Sequence, residues 1–290
     1  MPRPNPADEA GYTRSRFDAD GMSHDVYRRG DGPAVLLLHE MPAPSWRTVR
    51  IAERIRRRGY RVAMPIFTGD VRGRTPRDAL RVMPDLAATT IRICVSREFV
   101  ALAQGRTSPI ASWLRALARS EQRSSGRPSV GVIGMCFSGS FALGTAIDAT
   151  VAIAVASQPA LPFAPIGMRW IPGQAADPGV SPADLDRLAA RTASGELCVR
   201  AYRYSNDWIA PEERIEVLRA RLGDGIEYVR IDLPAGRHAH PVLSDAATVA
   251  DDDPADSNGR LALRALDDLL AALDARLKPA GPSSPNPSGS

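Results

Sequence analysis

The segment Val130–Gly139 places a cysteine between small residues, in a pattern typical of a nucleophile at a strand-to-helix turn. An apolar run over 129–133 leads into Gly134-Met135-Cys136, and a helix-like segment with small residues follows. Such a turn holds its central side chain at the mouth of a parallel sheet, with the backbone N–H at a helix N-terminus. Because the helix dipole there favours thiolate over thiol, Cys136 is a candidate nucleophile.

Ser138 is a weaker candidate for the same role. A turn centred on Ser138 would put Cys136 and Ser140 at the two crowded positions, whereas a turn centred on Cys136 puts Gly134 and Ser138 there. The alternative for Cys136 itself is a buried structural cysteine, which is the commoner environment of a free thiol. The other candidate residues of the chain must therefore decide whether Cys136 is catalytic or structural.

Three more reactive side chains follow predicted strands. Glu40 comes after the apolar run Ala34–Leu38, Asp207 follows a strand predicted over 197–202, and His238 follows another over 226–231. Ligands of open α/β sheets bind beyond the carboxyl ends of the strands, so these side chains are expected at one edge. Nucleophile, acid and then histidine is the chain order of α/β-hydrolases, and it supplies the base and the orienting acid that a nucleophile needs.

Two of these assignments have rivals in the sequence. His240 is an alternative base to His238, because both histidines lie in the same short loop. The rivals of Asp207 are Asp224, in a Gly-Asp-Gly turn, and Asp232, at a strand end, where structural roles are more common.

The set of motifs resembles the dienelactone hydrolase family. The matching features, spread over residues 22 to 277, are Leu37-Leu38-His39-Glu40, Gly134-Met135-Cys136, Asp207 and His238-Ala239. Leu-His-Glu before the first helix, combined with Cys in place of the usual Ser, separates this family from other hydrolases of the fold. The resemblance implies an α/β-hydrolase fold, a doubly wound and mostly parallel sheet with helices on both faces.

The resemblance also implies a role for each residue. Cys136 is the expected nucleophile, His238 the general base and acid, and Asp207 the group that orients the histidine. Glu40 is expected near the thiol, where it influences the ionisation of Cys136. The expected oxyanion hole consists of two backbone N–H groups, those of Met41 and Phe137.

The implied reaction is hydrolysis of a carboxylic ester or lactone through an acyl-thioester, without cofactor or metal. Family members that cleave dienelactone carry an Arg four residues after the catalytic histidine, near the substrate carboxylate. Counted from His238, that position is Val242 here, which argues against an anionic lactone. The alternatives are an acyltransferase with the same Cys nucleophile, a non-catalytic small-molecule binding protein on a hydrolase scaffold, and a redox-sensing thiol.

Strand and helix patterns alternate along most of the 290 residues, which predicts a single doubly wound α/β domain. Two stretches rich in proline, 65–90 and 159–179, interrupt the alternation and are expected to form lids or pocket walls. The predicted organisation is a flexible arm over 1–20, a hydrolase domain over 21–278 with a cap-like insertion at 159–195, and a disordered tail over 279–290.

The composition favours a small-molecule enzyme over a nucleic-acid-binding protein. The net charge is +4, but the basic residues alternate with 33 acidic ones, and the cluster Arg54-Ile55-Arg56-Arg57-Arg58 ends a predicted helix, where cations suit the dipole. The three cysteines show neither a disulfide pattern nor metal-ligand spacing. Without a signal-like segment or an apolar run of membrane-spanning length, the expected location is the cytoplasm, with no membrane partner.

Overall fold

The computed structural model describes residues 5–73, 76–163, 171–234, 236–248 and 257–278. Its centre is a sheet whose strands, in chain order, are β1 (Thr13–Ala19), β2 (Met22–Arg29), β3 (Ala34–Leu38), β4 (Arg61–Ile66), β5 (Val130–Met135), β6 (Val151–Ser157), β7 (Cys198–Tyr204) and β8 (Ile226–Ile231). The spatial order is β1-β2-β4-β3-β5-β6-β7-β8. The pairs β1–β2 and β2–β4 are antiparallel and the others parallel, which confirms the predicted doubly wound sheet.

Helices cover both faces of the sheet. They are α1 (Pro6–Glu9), α2 (Trp46–Arg57), α3 (Pro76–Val95), α4 (Ile110–Ser125), α5 (Gly139–Thr145), α6 (Pro182–Ala193), α7 (Glu212–Leu222), α8 (Val242–Ala246) and α9 (Ser257–Leu277). One core layer packs α4 to α7 against the sheet, and the other packs α1, α2, α8 and α9 against the opposite face. The central strands β3 and β5 are buried along their whole length, as strands covered on both faces require.

The N-terminal segment differs from the predicted flexible arm. Residues 6–9 form α1, capped by Asn5, and residues 13–19 form β1, which pairs along its length with β2. The strand is an edge strand whose side chains are mostly exposed and polar, so it lacks the apolar run that marks a buried strand. The segments 249–256 and 279–290, which include the predicted tail, lie outside the described residues.

The region predicted to be irregular over 65–90 contains most of a long helix. Sequence periodicity predicts a helix over 91–104. The observed helix α3 instead runs from Pro76 to Val95 and overlaps the predicted one only over 91–95. Pro76 occupies the first helical position, which tolerates proline, and Pro84 is retained inside the helix.

In the described part of the chain, none of the helices is long and apolar enough to cross a membrane.

Candidate active site

Cys136 stands at the tight turn between β5 and α5. Its φ of 56° lies in the left-handed region, which is rare for a residue with a side chain and typical of a strained nucleophile turn. Gly134 makes the turn possible, since a Cβ at that position would lie 2.2 Å from the carbonyl oxygen of Ser138. The turn predicted from the small residues around Cys136 is therefore present.

Ser138 ties this turn to the neighbouring loop. Its hydroxyl accepts a hydrogen bond from the backbone N–H of Met135 at 2.9 Å. The same oxygen lies 3.0 Å from the carbonyl oxygen of His39 and 3.2 Å from that of Leu38, at the end of β3. A buried hydroxyl thus connects the Cys136 turn with the loop that carries Glu40 and Met41, a function that the sequence does not reveal.

Asp207 and His240 form a hydrogen-bonded pair. Nδ1 of His240 lies 2.8 Å from Oδ2 of Asp207, while Oδ1 of Asp207 accepts from the backbone N–H groups of Ile209 and Ala210 at 2.9 and 3.1 Å. The buried Arg203 of β7 fixes the loop that carries Asp207, because its Nη2 donates to the carbonyl oxygen of Asp207 at 2.8 Å. The carboxylate therefore presents one defined oxygen to the imidazole.

The electrostatics of His240 involve Cys136 as well as Asp207. Burial alone would lower the pKa of His240, but the negative charge of Cys136 and the hydrogen bond and charge of Asp207 outweigh it and raise the pKa well above its usual value. Nε2 is buried, and none of the described residues offers it a well-formed hydrogen bond. The raised pKa favours the charged imidazolium form of His240.

His238, the histidine predicted to be the base, lies elsewhere. It is exposed, and its Nδ1 is 3.1 Å from the carbonyl oxygen of Asn206 instead of the Asp207 carboxylate. The loop after β8 turns between the two histidines, so that His240 faces the sheet edge and His238 faces solvent. The geometry thus pairs Asp207 with the alternative base, His240, and leaves His238 away from the carboxylate.

Glu40 lies half-buried near this pair but is hydrogen-bonded to other groups. The hydroxyl of Ser244, on α8, donates to Oε1, and Nε2 of Gln158 lies 3.5 Å from Oε2. Burial raises the pKa of Glu40, against the lowering effects of the Ser244 hydrogen bond and the His240 charge. Within the described residues Glu40 has no hydrogen bond to Cys136, so its expected influence on the thiol stays a prediction.

His39 links the loops that follow β3 and β4. Its Nε2 accepts a hydrogen bond from the backbone N–H of Phe67 at 3.0 Å, and its Nδ1 lies 2.8 Å from the carbonyl oxygen of Glu40. Because Nε2 is an acceptor, the proton must reside on Nδ1, and the ring is neutral. Burial lowers the pKa of His39 to about 4, which keeps it so.

A cavity of about 410 Å³ opens above Cys136. We call it the Cys136 cavity; its lining is mostly apolar and consists of Met41, Leu86, Thr90, Cys94, Leu102, Cys136, Phe163, Trp208, Ile209 and His240. Met41, whose N–H is one of the two expected oxyanion donors, is in this wall, and Phe137, which carries the other, follows Cys136 directly. Among the described residues, no group of His, Cys, Asp and Glu is arranged to hold a metal ion.

Comparison with known proteins agrees with this architecture. The model of the dienelactone hydrolase family matches residues 24–166. Comparison with curated protein sequences finds no significant match.

Solved structures of similar fold cover nearly the whole chain. A candidate dienelactone hydrolase from Klebsiella pneumoniae has a TM-score of 0.53 at 14% identity, covering 90% of this chain and 98% of its own. The Pyrococcus furiosus esterase Pf2001 has a TM-score of 0.58 at 12% identity, covering 95% and 97%. A cold-adapted esterase from an Arctic intertidal metagenomic library has a TM-score of 0.52 at 14% identity, covering 92% and 94%. These likenesses show the α/β-hydrolase fold.

Proposed function

We propose that this hydrolase, whose residues 24–166 match the model of the dienelactone hydrolase family, cleaves carboxylic esters or lactones with Cys136, His240 and Asp207. The observation that carries the proposal is the 2.8 Å contact between His240 and Asp207, in a loop whose histidine also interacts electrostatically with Cys136. A nucleophile, a base and an orienting acid in this relation constitute a triad, whatever their order in sequence.

In the proposed reaction, the thiolate of Cys136 attacks the carbonyl carbon of the substrate. The N–H groups of Met41 and Phe137 stabilise the resulting oxyanion. The imidazolium of His240 protonates the leaving alkoxide, which produces a thioester and a neutral imidazole. His240 then takes a proton from water as the water attacks the thioester, and the thiolate is expelled.

The Cys136 cavity supports an uncharged, apolar acyl group as the substrate. Apart from Cys136 and His240, no lining residue carries an ionisable group other than the Cys94 thiol, whose pKa burial raises. Counted from His240, the position at which dienelactone-cleaving relatives carry Arg is Ser244, and its hydroxyl is committed to Glu40. An anionic substrate would therefore lose its hydration without gaining a cation.

The two histidines of one loop provide a matched test. We expect His240→Gln to lower kcat/KM for p-nitrophenyl butyrate by about 1,000-fold, because the imidazolium that stabilises the thiolate and the departing alkoxide during acylation is lost. His238→Gln removes an exposed imidazole two residues away and is expected to retain activity within about twofold, since it touches no reacting group. Equal activity of the two variants, with both folded by circular dichroism, would contradict the assignment.

The substrate class is tested by pairing neutral and charged esters. We expect kcat/KM to rise from the acetyl to the hexanoyl ester of p-nitrophenol, as added methylenes are buried at about 0.8 kcal/mol each. The p-nitrophenyl monoester of succinic acid, with a terminal carboxylate, should be a poorer substrate than the butyryl ester. A preference for the succinyl ester would show that a cationic group binds the substrate carboxylate in the cavity, and it would overturn this part of the proposal.

A further inference from the structure

Helix α3 exposes an unusual amount of apolar surface. Among the side chains that the structure describes, seven large apolar ones are exposed, and five of them lie on α3: Leu80, Val82, Met83, Ile91 and Val95. The other two, Leu102 and Trp208, line the Cys136 cavity. A concentration of exposed apolar side chains on one helix and at one cavity mouth marks an interaction surface.

The apolar residues form a continuous stripe along the helix. At about 100° per residue, Leu80, Met83, Ile91 and Val95 fall within a sector of about 120°, together with the exposed Ala87. We call these five residues the α3 stripe. An apolar face of this width allows the helix to lie flat on an apolar phase.

The flanks of the α3 stripe differ in character. On one side, Leu86 and Thr90 line the Cys136 cavity, and so does Cys94, which lies within the sector itself, so the stripe adjoins the cavity wall. On the other side, Arg81 and Arg92 lie about three turns apart on one line of the helix. Both arginines line a second cavity of about 400 Å³, and neither forms an ion pair with a described residue.

The helix is held to the body of the protein by few groups. Of its described side chains, Ile93 alone is buried. Among the described residues, the polar attachments are the ion pair of Arg72 with Asp85 at 2.5 Å and the hydrogen bond from the Thr89 hydroxyl to the carbonyl oxygen of Pro42 at 3.3 Å. A helix so placed presents its outer surface without having to break a packed core.

We propose that α3 docks on an anionic lipid surface. The α3 stripe enters the boundary between headgroups and acyl chains, Arg81 and Arg92 contact the anionic headgroups, and the mouth of the Cys136 cavity faces the same surface. Amphipathic helices with an apolar face flanked by cations bind membranes in this way, and each cation near an anionic surface adds to the attraction. The helix lies on the surface and does not cross it.

Charge favours a lipid surface over a second copy of the chain. Of the two aspartates that line the second cavity with these arginines, Asp85 is paired with Arg72 and Asp70 lies 3.8 Å from Arg14. A second α3 would bring further arginines to the contact, whereas an anionic surface brings the missing negative charge. Leu102 and Trp208, which are exposed and line the Cys136 cavity together with Leu86, Thr90 and Cys94 of α3, also suit a phase that dissolves apolar esters.

Co-sedimentation with vesicles tests the proposal without relying on the chemistry of Cys136. The probes are vesicles of phosphatidylcholine alone and of phosphatidylcholine with one third phosphatidylglycerol. The wild type is expected to bind the anionic vesicles more tightly, with an affinity that falls as salt is added. Binding should also shift Trp208 fluorescence to the blue, with Trp208→Phe as the subtraction control for the other tryptophans.

Matched substitutions on α3 locate the contact. Ile91→Ser removes a large side chain from the α3 stripe and should weaken vesicle binding at least about tenfold, whereas Val82→Ser, on the same helix outside the stripe, should change it by less than about twofold. Arg81→Gln and Arg92→Gln should each weaken binding to the anionic vesicles about fivefold. Hydrolysis of a dissolved short ester should be unchanged in Ile91→Ser.

Three results would overturn the docking proposal. The first is the absence of binding to either kind of vesicle. The second is an equal loss of binding in Ile91→Ser and Val82→Ser. The third is a dimer in analytical ultracentrifugation that Ile91→Ser dissociates, because a second copy would then cover the α3 stripe. Loss of ester hydrolysis with retained vesicle binding would instead affect only the proposed function.

Discussion

The imidazole of His240 is fixed on one side by a carboxylate and influenced on the other by a thiol. Asp207 holds Nδ1 at 2.8 Å, and the charge of Cys136 makes the largest favourable contribution to the imidazolium. The raised pKa of His240 favours the charged imidazolium, which in the proposed reaction protonates the leaving group. Because a negative charge on Cys136 contributes to that raised pKa, substitution of this one residue tests the coupling.

Replacing the thiol with a hydroxyl should remove that charge. We expect the pKa of His240 to lie well above 6.5 in the wild type and to fall in Cys136→Ser, because a serine hydroxyl stays uncharged at these pH values. NMR titration of the imidazole resonances measures the change, with His238→Gln used to assign the signals. An unchanged His240 titration in Cys136→Ser would show that the two groups are not coupled.

His39 should make stability depend on pH in the acid range. Its folded-state pKa of about 4 lies below that of the unfolded chain, so between pH 6.5 and 4 the unfolded state binds more protons. Stability is therefore expected to fall as pH decreases through this window, by about 3 kcal/mol in total. Urea unfolding of the wild type and His39→Asn at pH 7 and 4.5 separates this contribution, and equal pH slopes in both proteins would contradict it.

At the scale of elements, α7 anchors the segment that contributes Phe163 to the Cys136 cavity. Arg214 of α7 is completely buried, and its guanidinium donates to the backbone carbonyl oxygens of Pro159, Pro162, Gln174 and Asp177. Burial lowers the pKa of Arg214 to about 10, yet it remains charged at neutral pH. One side chain thus joins residues 159 and 162 of the insertion to residues 174 and 177.

Removing this guanidinium should loosen the insertion. Arg214→Met leaves the four carbonyl groups without a donor, and we expect a loss of about 3–5 kcal/mol in the free energy of unfolding. Arg219→Met, on the exposed side of the same helix, should cost less than about 0.5 kcal/mol. Denaturant unfolding compares the two, and hydrogen exchange should show faster exchange at 171–180 in Arg214→Met alone. Similar stability of both variants would contradict the proposed role of Arg214.

Sequence patterns predict the elements of the core better than those at the margin. The runs Ala34–Leu38 and 129–133 predict buried strands because both of their faces are apolar. The structure has β3 and β5 at these places. The edge strand β1 carries polar side chains, and α3 exposes apolar ones, so neither has the periodicity of a buried face. Arg214 gave no signal, because a charged residue in a helical segment ordinarily lies in solvent.

On the scale of the whole molecule, the parallel strands gather distant residues at one edge. Glu40 follows β3, Cys136 follows β5, Asp207 follows β7 and His240 follows β8. The sheet topology therefore explains why the sequence could predict which loops form the site. It could not decide between His238 and His240, because the conformation of their loop determines which ring reaches Asp207.

Trapping the acyl-enzyme tests the central claim most directly. The protein is mixed with p-nitrophenyl butyrate, quenched in acid during turnover, and analysed by mass spectrometry of the intact chain and of its peptides. We predict a butyryl adduct on Cys136 that accumulates further in His240→Gln, because the base for deacylation is missing, and that is absent in Cys136→Ala. An adduct on Cys94 or on a serine, or full turnover by Cys136→Ala, would contradict the account.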